Sequence, residues 1–132
     1  ATVNCRIFPG VEVSEVQDRL EELSADIENV TWQALDNPSA SPISTPDPEV
    51  MAAVKAALAP RYPDVTVMPN QSAGGTDGKW FRKAGIPTFA VSPIFFPPGP
   101  VGAHGLNERA PADSFYFGLD YWPELIRDLA AD

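Results

Sequence analysis

The chain has 132 residues, 44% of them hydrophobic and 20% charged, and its formal net charge is −9. This length fits one domain or two small lobes, and the composition excludes a wholly disordered chain. The negative charge argues against nucleic acid and anionic membrane as partners, because neither would attract it. With Cys5 as the only cysteine, no internal disulfide can form.

The first part of the chain predicts the order strand, helix, strand. Residues 2–8 are rich in β-branched and aromatic side chains, which favour strands. A helix is expected over residues 14–25, with Ser14 as its N-cap and apolar residues at helical spacing. Residues 30–35 alternate as a second strand does. This order is typical of half of a split βαβ sandwich, and we assign residues 1–36 to it.

A stretch rich in proline, serine and asparagine follows, and we interpret residues 37–46 as a linker. Asp47 then predicts the N-cap of a helix with Pro48 at its first position, the place that favours proline. Pro60 is expected to end that helix. Residues 65–68 predict a short strand.

The next segment predicts a short helix and a buried strand. Thr76 or Asp77 is expected to cap the helix at its start, and Gly85 is its expected C-cap. Residues 87–92 are mostly apolar, as strands buried on both faces are. A proline-rich loop, residues 95–102, comes after them.

A final helix is expected to begin at Asp113 or Ser114, with a kink or a break at Pro123. Its predicted buried stripe consists of Phe115, Leu119, Trp122, Ile126 and Leu129. Helices and strands therefore alternate over residues 47–132, which predicts an α/β layered arrangement and an α/β (α+β) fold class overall.

His104 is the only histidine and stands in a loop, in the sequence Gly-Ala-His-Gly. Imidazole nitrogen is a common zinc ligand, and α/β folds place their sites on loops beyond strand ends. From the local residues alone, a solvent-exposed loop histidine is the favoured interpretation, because a metal site needs three or four ligands. If His104 binds metal, most of the other ligands must come from polypeptide outside this sequence.

Two further features have a possible binding role. Residues 74–78, Gly-Gly-Thr-Asp-Gly, allow a close backbone approach to a ligand and add the hydroxyl of Thr76, although an ordinary capped turn has the same composition. Arg6, on the first predicted strand, could hold a carboxylate through two parallel hydrogen bonds. Taken alone, a surface arginine or an ion pair within the lobe is favoured for Arg6.

Four motifs occur in order along the chain. They are Val-Asn-Cys-Arg-Ile-Phe-Pro-Gly at 3–10, Gly-Gly-Thr-Asp-Gly-Lys-Trp-Phe at 74–81, Gly-Ile-Pro at 85–87 and His-Gly-Leu-Asn-Glu at 104–108. Together they resemble the C-terminal part of the zinc-dependent aminoacylase/carboxypeptidase/desuccinylase family of metallopeptidases. The first motif looks closest to the carboxypeptidase S and Gly-X carboxypeptidase branch. The resemblance covers essentially the whole chain.

This resemblance implies an α/β zinc-exopeptidase catalytic domain that binds two zinc ions and carries an inserted, ferredoxin-like lid. Residues 1–36 would be the second half of the lid, which also serves for dimerisation. Residues 37–46 would be the linker, and residues 47–132 the C-terminal part of the catalytic domain.

The resemblance also implies site residues and an activity. His104 would be a metal ligand, and Arg6 would hold the carboxylate of the substrate. Gly75 and Thr76 would line the substrate pocket. The reaction would be zinc-dependent hydrolysis of a peptide or N-acyl-amino-acid amide bond. Because the family's other metal ligands and its glutamate base have no counterpart here, we expect an inactive fragment, and the start at Ala1 suggests a piece of a longer protein.

Two other interpretations stay open. The chain could be a non-catalytic module that forms a homodimer through lid sheet edges, or an α/β domain that binds a small anion at residues 74–76. No apolar run approaches the length of a membrane span, so we expect a soluble protein, with cytoplasm and periplasm both open as locations.

Overall fold

A computed structural model describes three stretches of the chain, residues 1–72, 74–99 and 102–131. The chain divides into two compact units, Ala1–Thr45 with Gln71–Phe89, and Pro46–Asn70 with Ala90–Asp132. Positions 100 and 101 of the predicted proline-rich loop lie outside the described residues. The division into a lid, a linker and a catalytic domain concerns a family architecture and stays a prediction.

Four helices make up the regular structure of the described residues: α1 (Val13–Leu23), α2 (Pro48–Leu58), α3 (Gly78–Lys83) and α4 (Ala112–Leu129). No residue in the described part of the chain belongs to a β-strand. The predicted α/β (α+β) fold, with half of a ferredoxin-like lid, is therefore wrong for this chain. None of the described helices combines the length and the apolarity that crossing a membrane requires.

The segments predicted as strands, residues 2–8, 30–35, 65–68 and 87–92, form no ladder within the described stretches. Thr88 shows where backbone groups bond instead. Its N–H donates to Oγ of Ser44 at 3.3 Å, and its carbonyl accepts from the same hydroxyl at 3.0 Å. β-branched residues express a local preference, whereas a strand also needs a neighbouring strand to bond. The sequence pattern therefore identified a local preference for extended backbone, but it could not identify a second strand to pair with.

The first unit contains α1 and α3. The N-cap of α1 is Glu12, two residues before the predicted Ser14, and its N–H donates to the carboxylate of Glu15 at 3.1 Å. Beyond the C-terminus of α1, the indole of Trp32 donates to Oγ of Ser24 at 2.8 Å. This bond ties the irregular segment after α1 to the end of the helix.

α3 has only six residues; its N-cap is at the predicted Asp77, although that side chain makes no capping hydrogen bond, and its C-cap is Ala84, one residue before the predicted Gly85. Asp77 is the N-cap, and Gly85 follows the helix with a φ of +81°. The N–H of Ile86 donates to the carbonyl of Phe81 at 3.0 Å, and the N–H of Gly85 donates to the carbonyl of Arg82 at 3.0 Å. These two bonds form a Schellman motif, which explains the glycine.

α2 begins as predicted. Oδ1 of Asp47 accepts from the N–H of Glu49 at 2.8 Å, and Pro48 is the first helical residue. The helix ends at Leu58, before Pro60. α2 packs against α4 in the second unit. All buried hydrophobic side chains found among the described residues lie there: Ala53, Val54, Ala57 and Leu58 of α2, and Tyr121 and Leu125 of α4.

α4 buries a different face from the one predicted. The buried residues are Ser114, Gly118, Tyr121 and Leu125. The predicted stripe of Phe115, Leu119, Trp122, Ile126 and Leu129 is between 41% and 67% exposed. Most of the predicted positions lie one residue after a buried one, which is a rotation of about 100° around the helix. α4 also continues through Pro123, so the predicted break is absent.

Candidate functional site

Arg6 lies against the glycine-rich loop of the first unit. A Cβ built on Gly75 would be 3.4 Å from Nη1 of Arg6, so the guanidinium group lies beside the loop backbone. Both residues are exposed, and no ion pair within the described stretches involves Arg6. The structure thus brings together two of the predicted substrate-binding residues, and among the described residues no carboxylate pairs with the arginine.

Thr76, the third predicted substrate-binding residue, packs against the start of α3. Its Oγ1 would be 3.2 Å from a Cβ built on Gly78, and Nη1 of Arg82 would be 2.9 Å from that Cβ. Gly78 is buried, so the two side chains occupy space that any larger residue would need. A larger residue at position 78 would therefore have to displace the side chains of Thr76 and Arg82.

Arg82 is a residue of this region that the sequence analysis missed. Its Nε and Nη2 donate to Oγ of Ser41 at 3.2 and 3.1 Å, and its Nη1 donates to the carbonyl of Thr88 at 3.3 Å. One signal was available, because Gly78 and Arg82 are four residues apart on α3 and so share a helix face. The bond to Ser41 spans 41 residues and has no signature in the sequence.

His104 belongs to the second unit and is exposed, in a loop as predicted. Its φ is +60°, in the left-handed region that is uncommon for residues other than glycine. The N–H of His104 donates to Oε2 of Glu108 at 3.1 Å. Glu108 thus braces the backbone of residues 102–108, the histidine loop, and leaves the side chain of His104 at the surface.

Gly102 closes the same loop. Its φ is +69°, and a Cβ there would be 2.8 Å from the carbonyl oxygen of Asn107. The N–H of Gly105 donates to the carbonyl of Gly102 at 2.8 Å. The backbone around His104 is therefore held on both sides, by this turn and by Glu108.

No group of three or more His, Cys, Asp or Glu side chains that could hold a metal ion occurs within the described stretches. His104 is one imidazole, and Glu108 bonds to the backbone of its own loop. The residues present therefore do not form a metal site by themselves, and no reaction step is assigned to a metal.

Comparison with known proteins identifies the family. The family model described as Peptidase family M20/M25/M40 matches residues 2–128. The chain belongs to this peptidase family. The match agrees with the family resemblance found in the sequence.

Two curated relatives of this M20/M25/M40 chain are also similar. The human N-fatty-acyl-amino acid synthase/hydrolase PM20D1 is 27% identical over 136 residues, which cover 100% of this chain and 27% of that protein. Mouse aminoacylase-1 is 29% identical over 135 residues, which cover 99% of this chain and 32% of that protein. The chain thus spans about a third or less of the length of the curated relatives it matches. No solved structure matches it significantly.

Proposed function

We propose that this chain supplies the carboxylate-binding part of a zinc-dependent amidohydrolase or peptidase whose substrate is an N-acyl amino acid or a peptide. The observation that carries the proposal is the guanidinium group of Arg6 beside the backbone of Gly75. A substrate of this class has a free carboxylate close to the amide bond that is cleaved. The names of both curated relatives point to amino acids that carry an acyl group.

The geometry suits a carboxylate for physical reasons. A guanidinium group presents parallel N–H donors that match the two oxygens of a carboxylate, and such charge-assisted pairs are stronger than neutral hydrogen bonds. Gly75 has no side chain to cover those donors, and Thr76 adds a hydroxyl next to it in the chain. In this proposal Arg6 binds the carboxylate, while Gly75 and Thr76 line the same pocket.

The test of Arg6 uses two substrates that differ in one group. In the full-length protein, Arg6→Gln should raise KM for an N-acyl amino acid about 10-fold to 100-fold, as expected for losing hydrogen bonds to a charged group. KM for the matching C-terminal carboxamide should change less than about twofold, because that substrate has no carboxylate to lose. Arg19→Gln is the control, since Arg19 pairs with Glu22 on the surface of α1. An equal effect of Arg6→Gln on both substrates would reject carboxylate binding.

We also propose that His104 is one ligand of a zinc centre, whose remaining ligands come from polypeptide outside these residues. His104→Ala should lower both the zinc content and the turnover of the full-length protein, whereas Cys5→Ala, at an exposed thiol, should change neither. Unchanged zinc content in His104→Ala would remove His104 from the metal site.

The 132-residue chain alone is proposed to be inactive. The chain spans only about a third or less of the length of its curated relatives. It also has one histidine, His104, whereas a catalytic zinc site has three protein ligands. The isolated chain, purified with added zinc, should show no turnover of N-acyl amino acids or dipeptides above a zinc-only blank. Turnover that depends on the chain would contradict the proposal.

The finer assignment to the carboxypeptidase S and Gly-X carboxypeptidase branch stays a prediction. It predicts that the full-length protein prefers dipeptides, and in particular those with an N-terminal glycine, over long-chain N-acyl amino acids. The name of PM20D1 refers instead to N-fatty-acyl amino acids, so a substrate panel that ranks both classes by kcat/KM distinguishes the two.

A further inference from the structure

Arg82 joins two segments of the first unit that lie far apart in the sequence. Its Nε and Nη2 both donate to Oγ of Ser41, and its Nη1 donates to the carbonyl of Thr88. The side chain is half-buried, and none of the ion pairs within the described residues involves it. A guanidinium group that is partly withdrawn from water has to replace hydration by hydrogen bonds. Its position is therefore set by these neutral oxygens.

Ser44 strengthens the same connection. Its hydroxyl bonds both the N–H and the carbonyl of Thr88, at 3.3 and 3.0 Å. Two serines that stand three residues apart thus attach one segment to the region around α3. Arg82 bonds to Ser41 and Thr88, and Ser44 bonds to Thr88. We call these hydrogen bonds together the serine latch.

The guanidinium group of Arg82 also touches the start of its own helix. Nη1 would be 2.9 Å from a Cβ built on Gly78, and Oγ1 of Thr76 would be 3.2 Å from the same point. Arg82 therefore lies behind the loop that presents Thr76 and Gly75, while Arg6 lies against Gly75. The serine latch and the carboxylate-binding residues meet at this loop.

We propose that Arg82 is a positioning residue that holds the loop of Gly75 and Thr76 in its substrate-binding conformation, through Ser41 and Gly78. The inference rests on the proposed function, in which Arg6 binds the substrate carboxylate beside that loop. Without the latch, only a fraction of molecules holds the loop correctly, and apparent affinity falls by that fraction. The chemical step is unchanged in the molecules that bind, so KM rises and kcat does not.

Lysine cannot replace this arginine. Ser41 and Thr88 are reached by three different nitrogens of one planar group, whereas lysine has a single nitrogen on a flexible stem. Arg82→Lys keeps the charge and at most part of the latch. It should therefore behave more like Arg82→Met than like the wild type.

The kinetic test compares Arg82→Met, Ser41→Ala and the double variant in the full-length protein, with an N-acyl amino acid as substrate. Arg82→Met should raise KM about 5-fold to 20-fold and leave kcat within about twofold, as the loss of hydrogen bonds to a charged group predicts. The double variant should be no worse than Arg82→Met, because both changes break one connection. Lys83→Met is the control, since Lys83 is exposed and its ammonium group lies over the ring of Trp80.

Hydrogen exchange of the same variants separates failure of the inference from failure of the proposed function. In Arg82→Met, residues 41–45 and 75–78 should exchange faster than in the wild type, and in Lys83→Met they should not. An active enzyme with unchanged KM in Arg82→Met overturns the inference, and so does a fall in kcat alone. A wild type that hydrolyses no N-acyl amino acid or peptide overturns the proposed function, and unchanged exchange in Arg82→Met then overturns the latch as well.

Discussion

The carboxylate of Glu108 accepts a hydrogen bond from the backbone N–H of His104 at 3.1 Å, within a loop in which His104 has a φ of +60°. Left-handed backbone costs free energy for a residue with a Cβ and persists where the surroundings hold it. The bond to Glu108 is one such restraint. The side chain of Glu108 thus fixes the backbone that carries the proposed metal ligand.

Glu108→Ala should loosen this backbone, and Glu108→Gln should largely retain it, because the amide oxygen of glutamine still accepts a hydrogen bond. In Glu108→Ala the amide proton of His104 should move upfield in the NMR spectrum, and zinc content of the full-length protein should fall. The effect on global stability should stay within about 1 kcal/mol, since the bond is exposed. An unshifted His104 amide in Glu108→Ala would mean that the bond does not form in solution.

Gly102→Ala should distort the histidine loop more than an equivalent glycine substitution elsewhere. At Gly102, a Cβ meets the carbonyl oxygen of Asn107 at 2.8 Å in addition to the positive φ of the backbone. Gly85 has a similar φ of +81° with no atom within 4 Å of its Cβ, so Gly85→Ala is the matched control. Left-handed strain alone costs about 1–2 kcal/mol. Denaturant unfolding should show a larger loss for Gly102→Ala, and equal losses would show that the loop relaxes without cost.

Local sequence signals predicted local structure. The cap at Asp47 with Pro48 was identified correctly, and Gly85 was placed within one residue of the observed C-cap, because a cap depends on a few adjacent residues. Pairing of strands and the contact of Arg82 with Ser41 depend on residues far apart in the sequence. Propensity and spacing carry no information about such partners.

The face of α4 shows a second limit. Large apolar or aromatic residues occur on two adjacent sides of this helix, so helical periodicity alone does not decide which side is buried. Packing against α2 selects the side of Tyr121 and Leu125, at 1% and 4% exposure. Substitution at neighbouring positions tests this result directly.

Leu125→Ala should destabilise the chain much more than Ile126→Ala. Leu125 is buried against α2 in the core, and its truncation should cost about 2–5 kcal/mol. Ile126 is 62% exposed, so its truncation to alanine should lower the free energy of unfolding by less than about 1 kcal/mol. Urea unfolding of the two variants measures the difference, and the reverse order would favour the stripe predicted from the sequence.

Tyr121 is a buried phenol whose hydroxyl has no hydrogen-bond partner among the described residues. An unpaired buried hydroxyl keeps the cost of its lost hydration. Tyr121→Phe removes the hydroxyl and keeps the ring, so its free energy of unfolding at pH 7 should equal or exceed that of the wild type, by up to about 1 kcal/mol. A loss above 1 kcal/mol would show that the hydroxyl has a partner in solution.

Burial also raises the pKa of Tyr121 above its ordinary value of 10.0. The folded chain therefore keeps this proton at pH values where the unfolded chain has begun to release it. The stabilisation that results is complete below about pH 10 and declines as the pH rises through the raised pKa. The hydrogen bonds that Tyr62 shares with Ser114 and Arg61 lower the pKa of Tyr62, so its titration changes stability in the opposite direction. Above pH 10 the wild type should thus lose stability more steeply than Tyr121→Phe in urea unfolding, and parallel curves would place the phenol of Tyr121 in water.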